Sequence, residues 1–173
     1  MSNIPTIAEL YDLNHTIAKT LLQRHTYPWE VLKELKSFIL ELGATLPADE
    51  YDHPEEGVWV AKDAKVFPSA YIGAPCIIDH GAEIRHCAFI RGSAIIGKNS
   101  VFGNSCEIKN SIIFDDAQTP HYNYVGDSIL GWHSHMGAGS ITSNVKSDRT
   151  NIVIRCGKET AETGVYKIGA MLG

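Results

Sequence analysis

From Val60 the chain reads VAKDAK VFPSAY IGAPCI IDHGAE IRHCAF IRGSAI IGKNSV FGNSCE IKNSII, and Phe114 opens the next group of six. Val60, Val66, Ile72, Ile78, Ile84, Ile90, Ile96, Phe102, Ile108 and Phe114 occupy one phase of that period. Four residues after each of the first eight stands a small side chain: Ala64, Ala70, Cys76, Ala82, Ala88, Ala94, Ser100 and Cys106. An amphipathic α-helix repeats near 3.6 residues and a half-buried strand near 2, so a strict six with small corner residues describes a prism of short parallel strands. The fold class is therefore an all-β solenoid, a parallel β-helix. With three hexads per coil, residues 18 apart stack about 4.8 Å from one another, the spacing of hydrogen-bonded strands. Each coil covers only its neighbours, so the ends need caps and the outer faces are open to association.

Working toward the N-terminus, Thr6 and Glu9 form a capping-box pattern that opens a short helix, and Ile17, Ala18, Leu21 and Leu22 give one apolar face to a second. Pro28 suits the first turn of a third, whose stripe is Val31, Leu32, Leu35, Phe38, Ile39 and Leu42, with Gly43 as its stop. These helices are expected to cover one end of the solenoid. Leu46 to Gly57, with two prolines and five carboxylates, reads as a surface linker. Toward the C-terminus, Asn151 to Arg155, Gly157 and Thr163 to Tyr166 suggest a β-hairpin. The organisation is then residues 1–57 as helical extension and linker, and 58–173 as the β-helix, with a hairpin excursion near 145–167.

A chain of 173 residues provides one domain with an extension. Its net charge of -5 and the lack of a basic stripe argue against nucleic acid as a partner. The start MSNIPTIAELYDL has no signal-peptide pattern and no apolar run is long enough to span a bilayer, so the expectation is a cytoplasmic protein with no membrane partner. Cys76, Cys87, Cys106 and Cys156 show no C-x-x-C spacing and read as reduced, structural thiols. No metal site is expected either: His80 and His86 fall on different faces by the 18-residue rule, and no H-x4-H pair occurs.

Arg91 and Lys109 each follow the inward residue of a hexad, so both project outward, and they stand 18 apart. Two stacked cations are either solvated surface charges or a site that a bridging anion, a phosphate above all, makes favourable. Twelve residues beyond Lys109 the repeat breaks at Gln118, Thr119 and Pro120, and His121 follows. A neutral imidazole there suits a general base.

The run His121-Tyr-Asn-Tyr-Val-Gly-Asp127, then Leu130-Gly131 and Met136-Gly-Ala-Gly-Ser-Ile-Thr-Ser-Asn144, resembles the acetyltransferase domain of the bifunctional UDP-N-acetylglucosamine pyrophosphorylase and glucosamine-1-phosphate N-acetyltransferase. That family reads H-x-x-Y-L-G-D and V-N-I-G-A-G-T-I-T-C-N-Y at these places, and the similarity covers roughly residues 60 to 144. The resemblance implies a left-handed β-helix, a homotrimer and active sites between subunits. It assigns Arg91 and Lys109 to sugar-phosphate contacts, His121 to the catalytic base, Tyr124 and Asn144 to the sugar site, and Ala138 to a backbone contact with the acetyl donor, acetyl-CoA. His135 stands where the family has a sugar-binding Asn, and Val145 where it has Tyr. The chain as a whole is similar to a stand-alone group labelled pyrophosphorylase-related.

Pyrophosphorylase activity itself is not expected, because residues 1–57 contain no glycine-rich, basic nucleotide loop of an α/β domain. The hexad phase resumes at Ile168 and is still running at Gly173, where the family's coils that complete the acetyl-CoA site would follow. Three functions are thereby set against one another. The first is an N-acetyltransferase acting on an amino sugar phosphate. The others are a module that binds a sugar phosphate or nucleotide sugar without transfer, and a trimeric scaffold.

Overall fold

In the computed structural model, which describes residues 3–173, the chain winds into a three-faced parallel β-helix. Successive coils each lay one short strand on faces A, B and C. The first coil has β2 (Val58–Ala61), β3 (Lys65–Val66) and β4 (Tyr71–Ile72), with β1 (Tyr51–Glu55) preceding it. The second has β5 (Cys76–Ile78), β6 (Glu83–Ile84) and β7 (Phe89–Ile90), and the third β8 (Ala94–Ile96), β9 (Val101–Asn104) and β10 (Glu107–Lys109). In the fourth come β11 (Ser111–Ile113), β12 (Gln118–His121) and β13 (Tyr124–Gly126), and β14 (Ile129–Leu130) starts the fifth. A hairpin of β15 (Val153–Cys156) and β16 (Glu159–Glu162) then leaves the stack, and β17 (Met171–Leu172) returns to pair with β14.

Inside the prism the inward side chains form one core running its length: Ile78, Ile84, Ile90, Ile96, Phe102, Ile108, Ile113, Val125 and Leu130, interleaved with small residues such as Ala82, Ala88, Ala94 and Cys106. The small side chains matter because two strands of a coil meet at each corner, with no room for more than a methyl or thiol. The corners also use left-handed backbone: Asn99 and Asp116 between faces A and B, Ser105 and Tyr122 between B and C, and Asn110 and Asp127 between C and A all have φ between 46° and 57°.

The 18-residue rule holds only for the first three coils. Val58, Cys76 and Ala94 stack at intervals of 18, but Ala94 pairs with Ser111 and Ile112 with Ile129, intervals of 17. One residue is lost at the turn from face C to face A, where Arg91-Gly92-Ser93 in one coil becomes Lys109-Asn110 in the next. The inward residue after Ile108 is consequently Ile113. Phe114, counted in the inward phase from sequence, points out of the prism and packs against Tyr11, ring centroids 5.2 Å apart.

The helices cover face A along its side, not one end. They comprise α1 (Ile7–Leu10), α2 (Lys19–Leu22) and α3 (Leu35–Gly43), with 3-10 turns at Leu13–His15 and Pro28–Lys33. The third expected helix is thus split at Glu34. Its 3-10 half opens with Pro28 and with the Glu30 side chain accepting from the Tyr27 N–H at 2.8 Å. Leu21, Leu22, Val31, Leu35, Phe38 and Ile39 pack on the outward residues Ile77, Ile95, Ile112 and Ile129. Face A is buried on both sides, which explains its doubled apolar residues Ile77-Ile78, Ile95-Ile96, Ile112-Ile113 and Ile129-Leu130.

The stretch expected as a linker contains β1, which pairs antiparallel with β2 and occupies the edge of face A at the first coil. In the hairpin the second strand is Glu159–Glu162, earlier than the alternation at Thr163 to Tyr166 suggests. No helix among the described residues is long and apolar enough to cross a membrane.

Phe102 is fully buried at the centre of the prism, where coils above and below hold its neighbours in place. Phe102→Ala should therefore cost about 3–5 kcal/mol in urea denaturation, while an apolar loss on the hairpin such as Val153→Ala should cost far less.

Candidate functional site

Face C and its two corners collect the polar residues singled out in the sequence. Ile90 pairs with Ile108, so Arg91 and Lys109 lie on successive rungs, with the Arg91 N–H donating to the Ile108 carbonyl at 2.9 Å. Neither cation is bare. The Arg91 guanidinium donates to Glu107 Oε1 at 2.7 Å, a bond that raises its pKa further, and Lys109 Nζ donates to Asp127 Oδ2 at 2.9 Å. The carboxylates hold the two charged heads in place and separate them, so no anion is needed to make the stack tolerable. Arg91 still has unused N–H donors on a half-exposed side chain, and the Lys109 ammonium has two.

Asp127 is the centre of this corner. It is 3 % exposed and accepts from Lys109 Nζ, from Asn110 Nδ2 at 2.8 Å and from Asn144 Nδ2. Asn144 in turn donates to the Tyr124 phenol at 3.3 Å. Lys109, Tyr124, Asp127 and Asn144 thus form one hydrogen-bonded chain at the edge of face C. Three donors on one buried carboxylate satisfy it, which is the condition for keeping a charge out of water.

At the opposite corner of face C, His121 ends β12 with its side chain exposed and its imidazole without a hydrogen-bond partner among the described residues. Tyr122, at φ 53°, turns the chain from face B to face C. From His121 to Tyr124 is three residues, so their Cα atoms are at most about 10 Å apart.

Asn123 fixes the next rung beside His121. Its Oδ1 accepts from the His121 N–H at 3.1 Å, while its Nδ2 donates to the carbonyls of Gly137 at 2.8 Å and Ser140 at 3.2 Å. The Gly139 N–H donates to the His121 carbonyl at 3.1 Å, so Ala138 sits exposed on the rung adjoining His121. His135 is elsewhere: it bridges Gln118 on face B.

Glu107, Asp127 and Asn123 were not assigned roles from sequence. Asp127 and Asn123 lie inside the quoted motif but at positions where a polar residue reads as a turn, and Glu107 stands 16 residues from Arg91, a spacing the 18-residue rule does not pair. Among the described residues no group of three or more His, Cys, Asp or Glu side chains is placed to hold a metal ion.

This fold and this motif recur in known proteins. Residues 72–154 match the family model described as the GMPPB C-terminal domain. The chain is 41 % identical over 86 residues to the bifunctional protein GlmU of Methanococcus maripaludis strain C5, covering 50 % of this chain and 21 % of that one. It is 31 % identical over 149 residues to GlmU of another Methanococcus maripaludis strain, DSM 14266, covering 85 % of this chain and 36 % of that one. It spans only about a fifth to a third of the length of these relatives. Among solved structures, the acetyltransferase domain of PglB from Neisseria gonorrhoeae superposes with a TM-score of 0.51 at 18 % identity, over 65 % of this chain and 51 % of that one.

Lys109→Met would leave Asp127 charged, buried and short of its cationic partner. It should lower stability by about 3 kcal/mol in urea denaturation, with the double change Lys109→Met and Asp127→Asn recovering part of the loss. The solved-structure likeness and the parallel stacking give a left-handed parallel β-helix, and over the matched stretch the sequence is similar to part of GlmU.

Proposed function

We propose that the protein is an N-acetyltransferase that moves an acetyl group from acetyl-CoA to the amine of an amino sugar phosphate, with His121 as general base. The observation that carries this reading is the arrangement around face C: a free, exposed imidazole at one corner, and at the other the Lys109–Asp127–Asn144–Tyr124 chain beside the Arg91–Glu107 pair. Arg91 and Lys109 supply donors for the phosphate, and Tyr124 and Asn144 supply hydrogen bonds for sugar hydroxyls. The ion pairs with Glu107 and Asp127 keep both cationic heads oriented before the ligand arrives.

The sugar amine attacks the thioester carbonyl carbon while its proton passes to the His121 imidazole. The tetrahedral intermediate collapses with cleavage of the carbon–sulfur bond, and the imidazolium returns the proton to the leaving thiolate. The negative oxygen of the intermediate needs a donor, and the backbone N–H of Ala138, on the rung adjoining His121, is the candidate.

The His121 end of the site is open to solvent. Tyr122 and Ile141 beside it are 65 % and 67 % exposed, and Phe89 and Tyr71 form a second exposed apolar pair on face C beyond Glu107. Exposed apolar side chains on both sides of a polar cluster suit association, and a homotrimer with the site between subunits is the assembly we propose. The setting is the cytoplasm, where acetyl-CoA and sugar phosphates are met.

The competing reading, a module that binds the sugar phosphate without transfer, shares the Arg91 and Lys109 site and lacks only the chemistry. Thiol release from acetyl-CoA with a panel of amino sugar 1-phosphates separates the two. Transfer should occur with the unaltered protein and fall about 10²- to 10⁴-fold in His121→Ala, with the folded oligomer intact by sedimentation. Binding of the sugar phosphate with no thiol release would establish the binding module in its place.

A further inference from the structure

On the far side of the prism from face C, at the corner between faces A and B, lies a cavity of about 240 Å³. Three parts of the chain enclose it: Asn14, Thr16 and Ile17 from the N-terminal segment, Leu46, Pro47, Glu50 and Tyr51 from the stretch leading into β1, and Asp79, His80, Lys98 and Asp115 from successive coils. Nothing in the proposed acetyl transfer uses it.

Its floor is Asp79, which has no solvent exposure. Asp79 Oδ1 accepts from the Tyr51 hydroxyl at 2.5 Å and from the His80 N–H at 2.8 Å, but Oδ2 is buried with no partner. A buried carboxylate oxygen with no protein partner is among the costlier states a side chain can occupy. Asp115 lies close by: burial first, and the Asp79 charge in addition, raise its pKa against the opposing hydrogen bond from the Lys98 N–H.

The remaining charges around the cavity have been accounted for or face outward. His80 is held between Asp63 Oδ1 at 2.9 Å and Glu50 Oε2 at 3.3 Å, and Lys98 is exposed and forms no ion pair among the described residues. Three carboxylates against one lysine and one histidine leave the cavity acidic. Ile17, Leu46 and Pro47 add an apolar wall.

We infer that this cavity binds a small primary-ammonium compound with a short carbon chain, its N–H donors directed at Asp79 and Asp115 and its chain against Ile17, Leu46 and Pro47. The three donors of an ammonium group match the unpaired Asp79 oxygen and the adjoining carboxyl, and its charge offsets the acidic excess. A metal ion is the poorer match, because no group of three or more ligating side chains converges there among the described residues. A ligand in this place would tie the N-terminal segment and the stretch before β1 to the coils, so its binding adds to the stability of the folded chain by mass action.

The test is isothermal titration of the full chain with ethanolamine at neutral pH, set beside glycine, potassium chloride and sodium acetate, with melting temperature followed in parallel. Ethanolamine should bind and raise the melting temperature. Asp79→Asn, which keeps an acceptor for Tyr51, should weaken binding about tenfold or more, and Ile17→Phe, which fills the cavity, should abolish it. If Asp79→Asn does not fold, Asp115→Asn takes its place with the same expectation. Glycine binding as well would show that Lys98 receives an anionic end and would support the same site. Absence of ethanolamine binding up to tens of millimolar, equal binding of potassium or acetate, or affinity unchanged in both Asn variants would overturn the inference and leave a water-filled cavity. None of these readouts depends on acetyl transfer.

Discussion

Parallel stacking of one coil on the next is the interaction on which every other feature depends. Backbone N–H and C=O groups of each short strand pair only with the coils on either side, as when the Lys65 N–H reaches the Ala82 carbonyl and the Glu83 N–H that of Ser100. No strand of two or three residues is stable by itself, so a coil persists because its neighbours satisfy its backbone and cover its inward side chain. That coupling requires every corner to turn in the same way. A larger inward side chain at Ala88 or Ala94 would lift one coil off the next and break hydrogen bonds on three faces together.

The same constraint places function on the outside. Once the interior is filled, side chains available for chemistry must come from outward positions and corners, and stacking brings together residues far apart in sequence. Lys109, Asp127 and Asn144 span 35 positions of chain and meet because each is one coil further along the same corner. The shortening from 18 to 17 residues sets Asp127 level with Asn110 and Asn144. With an 18-residue coil Lys109 would face Asp127 itself across the rung; with 17 it faces Gly126, and Asp127 turns at the corner beside Asn110, where it can receive three donors.

The prism was legible from Ile78, Ile84, Ile90 and their neighbours because a period of six repeated many times admits few architectures. The lost residue was not, because Phe114 kept the apolar phase by coincidence. It is apolar for another reason, contact with Tyr11 and the helical layer. The doubled residues Ile95-Ile96 and Ile112-Ile113 carry the signal of a face buried on both sides, which the expectation of helices over one end left unused. The capping pattern at Thr6 and Glu9 was readable because it is local, the Glu9 carboxylate accepting from the Thr6 N–H at 2.8 Å. The partition of the third helix at Glu34 was not, because the apolar stripe runs through both halves.

Of the candidate site, the cations and the histidine could be seen as isolated signals, while their counter-charges could not. Stacked like charges in a sequence invite an external anion as the explanation for their survival. In the folded chain Glu107 and Asp127 supply that anion from neighbouring rungs. This alters what a ligand phosphate must do. In the proposed site it would not need to rescue a repulsive pair; it would add to two cations already oriented, sharing their remaining N–H donors. Because the Lys109–Asp127 pair is largely buried and the Arg91–Glu107 pair is not, the two cations differ: Lys109 is tied to the fold of its corner, and Arg91 is the more adjustable of the two, the one that would move toward a ligand in the proposed site.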